Sequence, residues 1–134
     1  MRNLAIGSVA AQSGVKVTTV RFYEARGLLG EPERSAGGRR VYQDTDVQRL
    51  LFIRHARELG FELGDIRTLM TLAELPSERC SDADVIARRH LTAVEDKIAR
   101  LERLRSELEL MIETCRNDTV AECRIIDALG AGRA

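Results

Sequence analysis

The chain has 134 residues, of which 44% are hydrophobic and 4% aromatic, and its 21 basic and 21 acidic residues give a formal net charge of zero. This length suits one small domain plus an extension, and so few aromatic residues leave little for a large independent core. No apolar segment approaches the roughly 20 residues that span a bilayer, and the N-terminus lacks the pattern of a signal peptide. We therefore expect a cytoplasmic protein with no membrane association.

The charges are distributed unevenly along the chain. Residues 1–57 contain ten Arg or Lys and five Asp or Glu, a balance of +5, whereas residues 58–134 contain eleven and sixteen, a balance of −5. Lys16 is the only lysine in the basic part, and the planar guanidinium of the arginines suits phosphate contacts. A solvated basic surface would have the same composition, so the charge indicates a nucleic-acid surface without establishing it.

The N-terminal residues predict two short helices joined by a tight turn. Ile6, Val9 and Ala10 form one apolar helical face, and Ser13-Gly14-Val15 interrupts it. Helical spacing resumes over Thr18–Glu24, with a threonine near its start as the expected cap. This order of elements is helix, turn, helix.

A hairpin and two further helices are expected next. Gly27 closes the second helix, Gly30–Gly38 forms a hairpin wing, and Arg39–Tyr42 is its return strand. The third helix, capped by Asp44 or Thr45, runs through Val47, Leu50, Leu51, Ile53 and Arg54 and ends at Gly60, and a fourth covers Leu63–Leu72. Pro76 and Ser77 then mark a linker.

The segment from Ser81 to Thr114 contains no Gly or Pro, and its apolar residues recur at spacings of three and four, which predicts one long helix. Only Arg105 interrupts the apolar stripe, which comprises Ala87, Leu91, Val94, Ile98, Leu101, Leu108 and Ile112. Nothing else in the chain is available to cover this stripe. We therefore expect a homodimer through an antiparallel coiled coil of two such helices.

The three cysteines lie at the two ends of this helix, Cys80 at one end and Cys115 and Cys123 at the other. The 35 residue steps from Cys80 to Cys115, at about 1.5 Å each, separate the two thiols by roughly 50 Å in one chain. Antiparallel pairing would bring Cys80 of one copy beside Cys115 and Cys123 of the other. In a reducing compartment an odd number of cysteines favours metal binding or redox sensing over disulfides. The cysteines therefore predict a site between subunits.

Five short motifs are spread over the first half of the chain. They are Ile6-Gly7-Ser8-Val9-Ala10, Val20-Arg21-Phe22-Tyr23-Glu24 with Gly27-Leu28-Leu29, Gly38-Arg39-Arg40-Val41-Tyr42, Phe52-Ile53-Arg54 and Leu59-Gly60-Phe61. Together they resemble the winged helix-turn-helix of the MerR transcription regulators, and the Arg-Phe-Tyr-Glu run is highly specific. The resemblance implies a mainly α fold with a DNA-binding domain over 1–75, a linker and dimerisation helix over 76–114, and a metal-binding loop and tail over 115–134.

The resemblance also implies a function. A dimer of this family binds double-stranded promoter DNA with an over-long spacer and, on binding its effector, distorts the DNA so that RNA polymerase already bound there can initiate. The residues that would contact DNA are Lys16, Thr18, Thr19, Arg21, Phe22, Tyr23, Arg39, Arg40, Tyr42 and Arg57. For Phe22 the residues favour a core position over a DNA contact, because the helix needs an apolar side against the third helix. Tyr23 and Tyr42 are alternatively half-buried packing residues.

The cysteines resemble the effector site of the metal-responsive branch. Cys115 and Cys123 enclose a seven-residue loop, and the apolar segment Ile125–Leu129 would fold back as a lid. Cys80 falls where branches that sense divalent ions carry a cysteine and the copper/silver/gold branch carries a serine. A third thiolate adds negative charge and permits trigonal or tetrahedral coordination, which favours Hg²⁺, Pb²⁺, Cd²⁺ or Zn²⁺ over two-coordinate Cu(I).

Three alternatives remain beside the divalent-metal sensor. The seven-residue loop has the length of the copper type, so a copper/silver/gold-responsive regulator stays open. The loop lacks the His or adjacent second Cys of zinc-type sensors, so zinc ranks behind mercury, lead and cadmium. A thiol-based redox sensor would need a resolving cysteine within reach or a tight four-cysteine cluster, and the sequence indicates neither. An enzyme would need a base beside a thiol, and neither His55 nor His90 lies in a recognisable motif. We expect a regulator and not an enzyme.

Overall fold

A computed structural model describes residues 3–115 and 119–131. The secondary structure is mainly helical, as the sequence predicts. The helices are α1 (Ile6–Ser13), α2 (Val17–Ala25), α3 (Asp44–Glu58), α4 (Leu63–Ala73), α5 (Ser81–Thr114) and α6 (Arg124–Ala131), with the strands β1 (Glu33–Arg34) and β2 (Arg40–Val41) and a 3₁₀ turn at Val120–Glu122. The chain divides into two compact units, Met1–Ile86 and Ala87–Ala134. Residues 116–118, inside the predicted metal-binding loop, and 132–134, in the predicted tail, lie outside the described residues.

The first unit contains the predicted helix-turn-helix. Its core includes Val9 from α1 and Val20 from α2, both 0% exposed. The turn needs Gly14, whose φ of 72° lies in the left-handed region, and its backbone N–H donates to the carbonyl of Ala10. The expected threonine cap of α2 is wrong. The extended cap residue is Lys16 with no side-chain hydrogen bond, because the helix already begins at Val17.

The third helix supplies much of the core and begins at Asp44, one residue earlier than a cap at Asp44 predicts and two earlier than a cap at Thr45 predicts. Leu50 and Ile53 are fully buried. The cap residue is Gln43, not Asp44 or Thr45, and its backbone N–H donates to the carboxylate of Asp46 at 2.8 Å. Both acidic residues lie in the first turn of α3, where their negative charge is stabilised by the helix dipole.

The wing is a small antiparallel hairpin. Glu33 pairs with Val41, and Arg34 pairs with Arg40. The turn closes where the backbone N–H of Gly38, at a φ of 80°, donates to the carbonyl of Ser35 at 2.9 Å. Strands of two residues each cannot hold a fixed orientation alone, so the wing depends on its contacts with the helices.

The second unit carries the apolar stripe of α5. Every residue from Leu91 to Leu110 is exposed. The exposed fraction is 49% for Ile98, 64% for Leu101 and 65% for Ile112. Helix α6 also exposes apolar side chains, including Leu129 at 66%. No helix among the described residues combines the length and apolar character that a membrane-spanning helix requires.

Candidate nucleic-acid interface and thiol site

One group of predicted DNA contacts surrounds the turn between α1 and α2, on a concave surface that we call the turn surface. Lys16, Thr19, Tyr23 and Arg57 line it, together with Arg54. Three basic side chains outnumber the acidic Glu58 at this concavity, which leaves positive charge that suits a phosphate backbone. Tyr23 lines this surface but is only 9% exposed, so most of its side chain packs in the core.

Arg54 supports the turn surface and was not among the predicted contacts. Its Nη1 donates to the carbonyl of Ser13 at 3.2 Å, and its Nε pairs with Glu58 at 3.2 Å. The first contact satisfies a carbonyl at the end of α1, where the helix itself provides no partner. The sequence indicates Arg54 only through its place in a motif, because this hydrogen bond joins residues 41 positions apart.

A second group lies where α2 meets the wing, in a depression that we call the wing cleft. Arg21, Glu24, Leu29, Glu31 and Arg40 line it. The side chain of Glu24 is 14% exposed, and its Oε1 pairs with Nε of Arg40 at 3.1 Å. The lining thus carries two guanidinium groups and two carboxylates, and the guanidinium groups of Arg21 and Arg40 are the ones that suit a phosphate.

Tyr42 does not occupy an exposed position in the wing. The residue is 1% exposed, and its hydroxyl donates to Oε2 of Glu24 at 2.8 Å. Burial, with the hydrogen bond to Glu24, raises the pKa of Tyr42 to about 12, so the phenol stays neutral. The prediction that the Tyr42 side chain contacts DNA is therefore revised, because the ring is in the core and the hydroxyl is already bound inside the protein.

Phe22, Thr18 and Arg39 are exposed. The favoured prediction of a core position for Phe22 is wrong, since it is 43% exposed. The buried positions of α2 are Val20 and Tyr23, three residues apart on one helical face, and Phe22 lies off that face. The guanidinium carbon of Arg26 lies 4.8 Å from the centroid of the Phe22 ring, a cation–π contact that holds both side chains at the surface.

The two C-terminal cysteines are brought together within one chain. Cys115 directly follows α5, and Cys123 directly precedes α6. Hydrogen bonds from the backbone N–H groups of Ile126 and Ile125 and from the thiol of Cys115 lower the pKa of the Cys123 thiol, against the opposing effect of desolvation. A thiolate immediately before the first turn of a helix is a soft, negatively charged donor, which is what a thiophilic metal ion requires.

Cys80 is exposed and directly precedes α5, and its carbonyl accepts the backbone N–H of Asp84 at 2.9 Å. Across residues 3–115 and 119–131, no three His, Cys, Asp or Glu side chains of one chain converge to hold a metal ion. That Cys80 of a second copy completes a site with Cys115 and Cys123 stays a prediction.

The structure also bears on the choice between a metal sensor and a thiol-based redox sensor. The sequence indicated no resolving cysteine within reach, which counted against a redox sensor. In the described residues the Cys115 thiol contributes to the lowered pKa of Cys123, so a second thiol does lie within reach. An oxidant that removes two electrons and two protons would join this pair in a disulfide, so experiments on metal binding need a reductant.

Comparison with known proteins shows where this architecture occurs. Residues 4–73 match the model of the MerR HTH family regulatory proteins, and residues 47–111 match the model described as MerR, DNA binding. The mercuric resistance operon regulatory protein of Pseudomonas fluorescens is 37% identical over 134 residues, covering 98% of this chain and 91% of the relative.

Two solved structures are similar over almost the whole chain. The transcription regulator PbrR691 from Ralstonia metallidurans CH34, in complex with lead(II), is 37% identical with a TM-score of 0.82, covering 94% of this chain and 98% of that one. The transcriptional regulator MerR of Bacillus megaterium MB1, in complex with mercury(II), is 30% identical with a TM-score of 0.70, covering 95% and 99%.

Proposed function

The chain belongs to the MerR family of helix-turn-helix regulatory proteins, and from that premise we propose that it activates transcription in response to a thiophilic divalent metal ion bound by Cys80, Cys115 and Cys123. Regulation by DNA binding is the property of the family. The proposal concerns the effector, its ligands and the assembly that binds it.

The contact between Cys115 and Cys123 carries this proposal. The pKa of the Cys123 thiol, immediately before α6, is lowered by the backbone N–H of Ile126 and also by the nearby Cys115 thiol, so the two residues form a pair of soft donors. Such a pair suits Hg²⁺, Pb²⁺, Cd²⁺ or Zn²⁺ and is a poor site for Mg²⁺ or Ca²⁺, which prefer oxygen ligands. Relatives named for mercury and structures with lead and mercury support the same choice.

The third ligand would come from a second copy of the chain. The stripe on α5 exposes half or more of several large apolar side chains, which an antiparallel partner helix would cover. Because Cys80 and Cys115 flank the same helix, this pairing would place Cys80 of one copy beside Cys115 and Cys123 of the other. A third thiolate adds charge that balances a divalent ion and excludes strictly linear coordination.

On the DNA side, the proposal assigns the turn surface and the wing cleft to the phosphate backbone of a promoter. Lys16, Arg57, Arg21 and Arg40 supply the positive charge of the two surfaces. In the dimer these surfaces are doubled, and the bound metal would change how the two copies hold the promoter, so that RNA polymerase initiates.

Transcription from the chain's own promoter, measured with a reporter and graded amounts of Hg²⁺, Pb²⁺, Cd²⁺, Zn²⁺ or Cu(I), tests the proposal. Induction by one or more divalent ions is expected, and Cys80→Ser, Cys115→Ser and Cys123→Ser should each abolish it. Ser77→Ala, in the exposed segment before α5, is the matched control and should respond normally.

Two results would contradict the divalent-metal proposal. Induction by Cu(I) alone that survives Cys80→Ser would assign the chain to the copper/silver/gold-responsive class, with Cys115 and Cys123 as the sufficient pair. Induction by an oxidant in the absence of added metal, lost in Cys115→Ser, would assign it to thiol-based redox sensing.

A further inference from the structure

We propose that Glu24 is a positioning residue that ties the wing to α2 and thereby directs Arg40 toward DNA. Both oxygens of the Glu24 carboxylate, on α2, accept hydrogen bonds from side chains of the wing. One donor, Arg40, lies in β2, and the other, Tyr42, directly follows β2. The proposal rests on the DNA-binding role of the chain and is independent of its response to metal.

The geometry joins two elements that are distant in sequence. Oε1 of Glu24 accepts from Nε of Arg40 at 3.1 Å, and Oε2 accepts from the hydroxyl of Tyr42 at 2.8 Å. The Glu24 side chain is 14% exposed, so water competes weakly for these contacts. A charged acceptor makes both hydrogen bonds stronger than neutral ones.

Tyr42 gives this connection a rigid anchor. Its ring is buried, and its backbone exchanges two hydrogen bonds with Leu4, from Leu4 N–H at 2.7 Å and to the Leu4 carbonyl at 2.8 Å. Arg40, two residues earlier, lies in a strand of only two residues. So short a hairpin is marginal alone, and the contact with Glu24 fixes its guanidinium relative to α2.

Binding Nε also orients the guanidinium. Arginine presents its donors in a rigid planar fork, so a contact on one edge sets the direction of the other nitrogen atoms. Arg21 lies in the same cleft and remains exposed. Glu24 thus fixes the direction in which the Arg40 guanidinium points, beside the second cation Arg21.

The proposal predicts that removing the charge of Glu24 weakens binding to the specific DNA site, whereas charge repulsion alone predicts stronger binding. A carboxylate on a surface that meets phosphates repels DNA, so removing its charge should strengthen binding to any sequence. If Glu24 positions the wing, Glu24→Gln should instead weaken binding to the specific site, while binding to unrelated DNA is unchanged or stronger. Specificity, measured as the ratio of the two affinities, should fall.

The experiment uses the full metal-free chain with a reductant and two DNA probes. One probe is a duplex enriched by the wild-type chain from a random-sequence library, and the other is a scrambled duplex of equal composition. We expect Glu24→Gln to weaken binding to the enriched duplex by about 10-fold. Glu31→Gln, which removes an exposed carboxylate from the same cleft, is the matched control and should not weaken binding to either probe.

Tyr42→Phe keeps the buried ring and removes only the hydroxyl, so it tests the same connection if Glu24→Gln does not fold. It should weaken binding to the enriched duplex about threefold or more, and the double variant should lose less than the product of the two single losses. In hydroxyl-radical footprints, protection by the wing should fade while protection by α2 persists.

Equal or tighter binding of the enriched duplex by Glu24→Gln would overturn the proposal. So would wild-type affinity in Tyr42→Phe, or an equal loss on both probes. A failure of metal-induced transcription would leave these results unaffected, because no metal is present in the binding assay.

Discussion

Replacing Ile98 and Leu101 with glutamate is expected to convert the protein into a monomer. Both side chains lie on the apolar stripe of α5, with 49% and 64% of their surface exposed. In an antiparallel dimer each copy covers the stripe of the other, so the double substitution removes four apolar side chains from the interface and adds four charges.

The exposed fractions set the expected magnitude. Full burial of such a side chain contributes about 1.5–3 kcal/mol, so covering the exposed fractions of Ile98 and Leu101, 49% and 64%, contributes about 1.7–3.4 kcal/mol per copy. Two copies double this to about 3.4–6.8 kcal/mol, which corresponds to a dissociation constant weakened by roughly 10² to 10⁵. Desolvation of the four glutamates adds to the loss.

Sedimentation equilibrium at micromolar concentration measures the effect. The control is Ala99→Glu/Ser106→Glu, which adds the same charge to exposed positions of α5 that lie away from the stripe. The control should remain dimeric and the double stripe variant should be monomeric. A monomeric wild type, or a stripe variant as dimeric as the control, would refute the assignment of this face to a second copy.

Three further predictions concern single residues. Arg21→Ala should weaken binding to the enriched duplex by about 1–3 kcal/mol without changing metal affinity, and unaltered binding at physiological salt would mean that the recognition surface is misplaced. Hydrogen bonds lower the pKa of Cys123, so its thiolate should form at lower pH in the folded protein than in urea. The pH midpoint of its alkylation rate should therefore rise in urea, and an unchanged midpoint would contradict the hydrogen bonds from Ile126 and Ile125. Gly14→Ala should lower the free energy of unfolding by about 1–2 kcal/mol, because φ there is 72° and the added methyl group would overlap the guanidinium of Arg54. An unchanged melting temperature would contradict this expectation.

The sequence predicted the elements of the fold because periodicity and turn residues are local properties. The long helix was expected over Ser81–Thr114 and has those bounds, since no Gly or Pro interrupts its stripe. The errors lie where two local choices compete. Several polar residues precede α3, and only the contact between Gln43 and Asp46 decides where the helix begins.

The site was predicted less completely, because its chemistry depends on contacts between distant residues. Phe22 and Tyr23 are adjacent aromatic residues in the sequence, yet one is exposed and the other is buried. Tyr42 belongs to the wing by sequence, and only the folded chain shows its hydroxyl bound to Glu24, 18 positions away. The contact between Cys115 and Cys123 likewise depends on how the chain returns into α6.

Metal binding by a defined heterodimer tests the central claim most directly. One subunit carries Cys80→Ser and the other carries Cys115→Ser/Cys123→Ser, so an antiparallel pair keeps one complete set of three thiols at one end. Thiolate-to-metal charge-transfer absorption with Hg²⁺, Pb²⁺ or Cd²⁺ should appear in the heterodimer at about half the wild-type amplitude, and each mutant homodimer should lose the three-thiolate site. A Cys115→Ser/Cys123→Ser homodimer that still binds a divalent ion tightly, or a heterodimer that binds none, would show that the three cysteines do not form one site between subunits.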